Sequence, residues 1–570
     1  MHEDTAAEPD MDTAAEPDMD TAAEPDMDTA AEPDMDTAAE PDMDTAAEPD
    51  MDTAAEPDMD TAAERAGISI RTRTDATTGM HTESAAAQTR TEGATRTYME
   101  DAAAAEHGKQ TGPPVAQEDS MSMNIPATAS EIAAAVRDGI LRPEAVVADT
   151  LDRIQAGDLA LGAFAVVRAE RALAEAQALA DRPDLDELPL AGVPIAIKNN
   201  IDVSGEVTRG GSRAGGDDPA TTDHPVVARL RAAGAVIVGL TELPELGLWG
   251  VTDTGDRITR CPWNVRYSAG GSSGGSGAAV GAGLVPVAHG NDGLGSVRIP
   301  AACCGVVGVK PGRDVVPSEV GADSWGGMVE NGVLATTVAD AALVLSVLAG
   351  RPALADPEPP PPLRIALAVG SPTPLARVDR EWADAARTAA ATAAAAGHTV
   401  ADAPLPYAGG TDAVILRWLA GAARDAGELS HPDRLQRRSR VHVALGRAVL
   451  RAGLIRPRQV DVVETRLLDY FEHHDVVVTP ALAGPAPLAR DWHRRGWVAN
   501  MAAGIRFAPF TALWNLVGWP ALSIPMGFHP RTGTPLAAQL AGPPGSESTL
   551  LRLAAQLEAA RPWQRVAPTT

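Results

Sequence analysis

Between Tyr267 and Arg313 the chain reads YSAGGSSGGSGAAVGAGLVPVAHGNDGLGSVRIPAACCGVVGVKPGR, and no other stretch restricts its fold as much. Two glycine loops, each carrying a serine (Ser272 and Ser296), flank a small-residue segment and a short apolar run. Taken alone, a glycine-serine stretch reads as a flexible linker. The neighbours argue otherwise. Ala278 to Ala288 is almost wholly apolar, and so is Ile299 to Val309 apart from single glycines and a proline. A linker does not lie between two buried segments. Glycine in such a place lets backbone approach a neighbour, or supplies positive φ around reactive groups.

The formal charge of −30 over 570 residues suggests an acidic enzyme, but it is unevenly spread. Residues 1–64 hold 24 acidic side chains and no Lys or Arg, whereas everything from Met121 onward nets about −4. The acidity belongs to a tail and says nothing about the charge of a substrate. Residues 11–58 are the octapeptide MDTAAEPD repeated six times. A proline-bearing period of eight fits neither a heptad nor a solenoid unit. Like charges without large apolar residues leave nothing to bury, so 1–120 is expected to be a disordered acidic tail and linker, with a catalytic body over 121–570. Translation from Met121 or Met123 is an alternative. The body is not basic enough for a nucleic-acid footprint. The start lacks a basic n-region with an apolar core, and no run approaches the roughly 18 apolar residues of a membrane span. A cytoplasmic protein is expected. Three cysteines (Cys261, Cys303, Cys304) cannot form a disulfide framework, and the adjacent pair reads as small buried hydrophobes.

Order is expected from about Asn124. Thr128 and Glu131 form a capping box, and Gly139 ends that helix. Pro143 opens a second helix with Val146, Val147, Leu151 and Ile154 on one face. Pro194 to Ile197 reads as a buried strand that delivers Lys198 at its end. Pro225 to Ala233 reads as a helix stopped by Gly234, and Ala235 to Gly239 as another buried strand. A strand at Arg364 to Val369, an alanine-rich helix from about Asp379, helices over 410–475, and strands at 476–479, 522–525 and 536–541 follow. This alternation predicts an α/β fold with a covered sheet.

Lysine usage singles out one residue. Of 47 basic residues only Lys109, Lys198 and Lys310 are lysines. Lys198 ends an apolar strand, where a charge is expensive. Arginine stays protonated in any protein setting, whereas a desolvated lysine can lose its proton and act as a base. The structural alternative is a buried lysine paired with an acid, for which Asp202 is near enough. Ser272 also centres Gly270-x-Ser272-x-Gly274, the pattern of a nucleophile elbow. An elbow needs a hydrophobic strand just before it, and Cys261 to Ala269 is polar and contains Pro262. His289 reads as a structural histidine.

These pieces together resemble the amidase signature family of serine hydrolases. The resemblance lies in GGSSGG at 270–275, GSVRIPAACCGVVGVKP at 295–311 and GVPIAIKNNIDV at 192–203. It extends to TTDHPVVARLRAAGAVIVGLTELPELG at 221–247 and FTALWNLVGWPALSIPMGF at 510–528, so it spans roughly Asn124 to Trp563. It implies a mixed twisted sheet covered by helices on both faces, and a Ser-cisSer-Lys triad. Ser296 would be the nucleophile, Ser272 the bridging serine and Lys198 the base, with backbone N–H groups of Gly293, Leu294, Gly295 and Ser296 holding the oxyanion. No metal or organic cofactor is implied. The family commonly has a glycine pair before the nucleophile, whereas this chain has Leu294-Gly295. Leu294 would be strained if the loop needs φ > 0 there, and it narrows the acyl side of the pocket.

The activity implied is hydrolysis of a small carboxylic amide to acid plus ammonia or amine, by a monomer or homodimer. A second reading is the glutaminase subunit of a tRNA-dependent amidotransferase. Against it, Ile299 stands where that subunit typically carries glutamine, and its Tyr-Ala-Ser-Ser-Leu-Asp-Gln run is missing after the core block. A third is a non-catalytic binding protein that works through its acidic tail.

Overall fold

A computed structural model describes residues 127–356 and 358–568. The acidic repeat, and the expectations attached to it, lie outside these residues. The strands, in chain order, are β1 (Phe164–Val167), β2 (Pro194–Lys198), β3 (Val236–Thr241), β4 (Arg260–Cys261) and β5 (Asn264–Ser268). They continue with β6 (Val287–Asp292), β7 (Val307–Lys310), β8 (Glu330–Ala335) and β9 (Arg364–Leu367). The last four are β10 (Thr399–Asp402), β11 (Val476–Pro480), β12 (Ala521–Phe528) and β13 (Pro535–Ala541). Eleven of them form one mixed sheet in the order β1-β3-β2-β6-β8-β7-β12-β13-β11-β9-β10, and β4 and β5 form a separate ribbon. β3, β2 and β6 run parallel, as do β11, β9 and β10, while the strands between β6 and β11 alternate in direction.

Successive strand residues face opposite sides of a sheet. Every residue of β2, β3, β6, β7, β8 and β11 is buried, so both faces of the sheet centre are covered. Burying Ile195 and Ile197 alone contributes roughly 3–6 kcal/mol. That is the scale of cost a buried lysine at the end of the same strand must be set against. The helices opened by Thr128, Pro143 and Pro225 begin where the sequence signals place them. The Thr128 side chain accepts from the Glu131 N–H and its hydroxyl lies 2.6 Å from the Glu131 carboxylate, which opens helix Ala129–Arg137. The second helix, Pro143–Leu161, buries Val146, Val147 and Ile154 but leaves Leu151 half-buried.

Several helices went unread in the sequence, among them Ala169–Ala180, Val338–Ala349 and Glu547–Ala560, and one such helix lies at the site. Gly274–Gly281 is α-helical although half of it is glycine. Tertiary packing overrides propensity here. A Cβ on Gly275 would lie 2.4 Å from the Ala163 carbonyl oxygen and 2.5 Å from the Glu242 nitrogen. A Cβ on Gly281 would lie 2.6 Å from the Cys304 carbonyl oxygen. At these two positions the slot admits no side chain. Among the described residues no helix is long and apolar enough to cross a membrane.

Candidate active site

The parallel register of β2 and β6 builds the site. Ile195 pairs with Val287 and Ala196 with Ala288, so both strands end on one edge of the sheet, Lys198 on the first and Asn291 and Asp292 on the second. Ligand sites of α/β sheets form at such carboxyl ends. The two glycine loops close over this edge, and the Ser273 N–H donates to the Ser296 carbonyl at 3.0 Å, which ties one loop to the other. The Gly271–Ser272 peptide bond is cis.

Lys198 is fully buried, and its Nζ lies 2.7 Å from Ser272 Oγ. Its other contacts are the Asn291 side-chain oxygen at 2.7 Å and the Asn291 carbonyl at 3.3 Å. Among the described residues no carboxylate touches it. Asp202 instead accepts from the Thr208 hydroxyl, so pairing of Lys198 with Asp202 is not realised. Desolvation pushes the lysine pKa from 10.5 down to about 7, with Asp292 opposing. A base of that strength is half neutral near pH 7. The elbow geometry is not realised either, because β5 pairs with β4 outside the main sheet. His289 is buried, holds Asn331 at 2.9 Å, and is pushed by desolvation down to about 3, so it stays neutral as a structural residue. Cys261, Cys303 and Cys304 are buried and unbridged, and burial raises all three thiol pKa values.

The second glycine loop hangs on a buried ion pair. Arg298 and Asp292 are both inaccessible to solvent and bond through two contacts of 2.9 and 3.0 Å. Arg298 also donates to the Gln539 side chain at 2.7 Å, the Thr511 carbonyl at 2.9 Å and the Asn515 side chain at 2.7 Å. Burial opposes the Asp292 charge, but Arg298, with Lys310 and Asn515 beside it, outweighs that and holds the carboxyl below the usual carboxylate range. The free lone pairs of Asp292 accept from the N–H groups of Gly295 at 2.6 Å and Val297 at 3.1 Å. The Gly295 N–H, expected among the oxyanion donors, is therefore taken. Those of Gly293, Leu294 and Ser296 make no hydrogen bond among the described residues and remain available. Gly295, not Leu294, adopts the positive φ of the loop, at +116°, so the expected strain at Leu294 does not arise. A Cβ on Gly295 would lie 2.2 Å from the Thr511 hydroxyl.

Two cavities meet at Ser296. The first, about 160 Å³, is walled by Leu294, Ile299, Trp249, Trp418, Met501 and Phe507 among others, and no charged side chain lines it. The second, about 180 Å³, holds Ser272, Asn291, Asn200, Arg209, Asp425 and Glu428. Trp325 lines both, anchored by its indole N–H on Asp425 at 2.7 Å. Ser272 lines only the second, and Leu294 only the first. Sequence reasoning missed Asp292, Arg298 and Asn291. Arg298 left a signal, a guanidinium in a run otherwise apolar, which demands a buried acid within reach.

Comparison with known proteins points one way. Residues 145–551 match the family described as Amidase. The chain is 43% identical over 445 residues to "Putative amidase AmiB2" of Mycobacterium tuberculosis (strain ATCC 25618 / H37Rv), covering 76% of this chain and 96% of that protein. It is 32% identical over 488 residues to 6-aminohexanoate-cyclic-dimer hydrolase of Pseudomonas sp. (strain NK87), covering 75% and 93%. A solved structure of a 6-aminohexanoate cyclic dimer hydrolase with its substrate superposes with a TM-score of 0.69 at 31% identity, over 76% of this chain and 97% of that one.

Proposed function

The chain belongs to the amidase family and is a hydrolase acting on amides, and from that premise we propose that it works through Ser296, Ser272 and Lys198 on amides with an apolar acyl group. The observation that carries the mechanism is the 2.7 Å contact of a buried lysine, free of any carboxylate, with the Ser272 hydroxyl.

A serine hydroxyl is a weak nucleophile and needs a proton acceptor. Neutral Lys198 takes the Ser272 proton, Ser272 takes that of Ser296, and Ser296 Oγ bonds to the carbonyl carbon. The carbonyl π pair moves onto oxygen, where the N–H groups of Gly293, Leu294 and Ser296 support the charge. The relay then runs backwards. Lys198 returns its proton to Ser272, Ser272 protonates the substrate nitrogen, and the C–N bond breaks to leave an acyl-Ser296. Water, deprotonated along the same path, releases the acid. Protonating nitrogen before it departs is what amide cleavage demands.

The relay also orients the substrate. The nitrogen must face Ser272, so the amine side occupies the polar cavity and the acyl side the apolar one. A cavity of about 160 Å³ takes a benzene-sized group. It offers nothing charged to the α-carboxylate and α-ammonium of glutamine, which sets the glutaminase reading aside. Buried, unbridged cysteines suit a reducing compartment such as the cytoplasm. The test is an isosteric pair, N-(3-hydroxypropyl)-3-phenylpropanamide and its retro-amide, with the Ser296→Ala protein as blank. The first should be hydrolysed at least tenfold faster in kcat/KM. Equal rates, or a faster retro-amide, would reject the orientation.

A further inference from the structure

The hydrogens of Lys198 can be counted. A neutral amine carries two hydrogens and one lone pair. Around Nζ stand three partners: Ser272 Oγ at 2.7 Å, the Asn291 side-chain oxygen at 2.7 Å and the Asn291 carbonyl at 3.3 Å. The two Asn291 oxygens can only accept. We propose that Asn291 is a positioning residue: it claims both hydrogens of neutral Lys198 and so leaves the lone pair for the Ser272 hydroxyl. This rests on Lys198 being the base.

The direction of the Asn291 amide matters, because an amide turned over would offer its NH2 to the lysine lone pair and compete with Ser272. Asn200, two residues beyond Lys198, opposes such a turn. The Asn291 NH2 donates to the Asn200 oxygen at 2.8 Å, and the Asn200 NH2 donates back to the Asn291 oxygen at 3.2 Å. Turning the Asn291 amide alone would set NH2 against NH2 and oxygen against oxygen across this pair, so the pair resists a single turn. Donation from Nζ selects the orientation with the oxygen facing it. When Lys198 becomes an ammonium, its third hydrogen points to Ser272 Oγ and the other two stay where they were. The same three contacts thus serve both protonation states, and the proton is taken up and handed back without moving a heavy atom.

Neutrality of the partner is the second part. A carboxylate at this distance would hold Lys198 as an ammonium and remove the base from the working pH range. Around Lys198 the acidic groups stand at one remove, and none of them contacts Nζ among the described residues. On β6, His289 is neutral and Asp292 is committed to Arg298. On β3, Thr241 stands opposite Lys198, and Glu242 just beyond is buried and raised by desolvation to about 7. Helix Gly274–Gly281 carries no titratable side chain.

The experiment is the pH profile of kcat/KM for wild type, Asn291→Asp and Asn200→Ala on one apolar-acyl amide. Wild type should rise through neutral pH. Asn291→Asp keeps shape but adds charge, and its midpoint should move up by about one to three pH units. Asn200→Ala buries no charge. It frees the Asn291 amide to turn, so kcat should fall about tenfold, whatever KM does through the Asn200 wall of the polar cavity. A profile of Asn291→Asp that superposes on wild type after scaling overturns the proposal. Should that protein not fold, Asn200→Ala decides alone, and a wild-type kcat overturns it. A wild-type profile without an alkaline rise would instead overturn Lys198 as the base, and this inference with it.

Discussion

Replacing Lys198 by methionine removes the base but should make the protein more stable at neutral pH. The lysine pKa falls from 10.5 to about 7 on burial, with desolvation the leading cause. Its folded value is depressed, so between about pH 7 and 10.5 the unfolded chain binds a proton that the folded chain does not. Stability therefore rises with pH across that window, and below about pH 7 the full penalty persists. At pH 7 the penalty comes to about 4 kcal/mol, since each tenfold loss of proton affinity corresponds to about 1.4 kcal/mol. Methionine, of similar length and without charge, escapes it, but gives up the contacts with Ser272 and Asn291, worth about 2 kcal/mol together. The variant should thus be about 2 kcal/mol more stable than wild type at pH 7 and less stable by a similar amount near pH 10.5. Paired melting curves from pH 6 to 10.5 at constant ionic strength read this directly, since Lys310 and every other titrating group cancel in the difference. A variant that melts below wild type at pH 7, by a margin that does not change with pH, would falsify the desolvation argument. Lys198 would then be an ordinary, well-solvated ammonium.

The two serines separate by chemistry. Ser296→Ala should abolish turnover and labelling by a fluorophosphonate, whereas Ser272→Ala keeps the nucleophile and should label slowly; acylation of Ser272 in the Ser296→Ala protein would reverse the assignment. Arg298→Met leaves Asp292 buried without its cation, which should cost about 3–5 kcal/mol and loosen the loop that carries Ser296. Melting temperature and fluorophosphonate labelling should fall together, and a stable, normally labelled variant would count against the ion pair as the anchor of that loop.

Much of the fold was legible because its signals are local. The Thr128 cap, Pro143 and the strand ending in Lys198 each depend on a few neighbouring residues. Lys198 could be singled out because a lysine in an arginine-rich chain has a chemical reason to be one. Helix Gly274–Gly281 was illegible for the opposite reason: its cause is the space left by Ala163, Glu242 and Cys304. Nor could the sequence say that Gly295 rather than Leu294 turns the loop, or that a Cβ there would meet Thr511, more than 200 residues on. The cavity walls come from distant segments around Trp249, Trp418 and Met501, and no spacing rule brings them together.

The glycine-rich helix beneath the catalytic loop has a bearing on when activity first appears in the life of the molecule. Each of its glycines weakens an isolated helix by about 1 kcal/mol relative to alanine. The segment cannot hold its shape before its slot exists, and the slot is built by backbone from residues 163, 242 and 304. Ser272 stands just before this helix, so the proton path to Lys198 depends on that slot being in place. Until then Ser296 is an ordinary hydroxyl. In an unfolded copy Lys198 regains its ordinary pKa of 10.5 and keeps its proton at neutral pH, so the base exists only in the folded body.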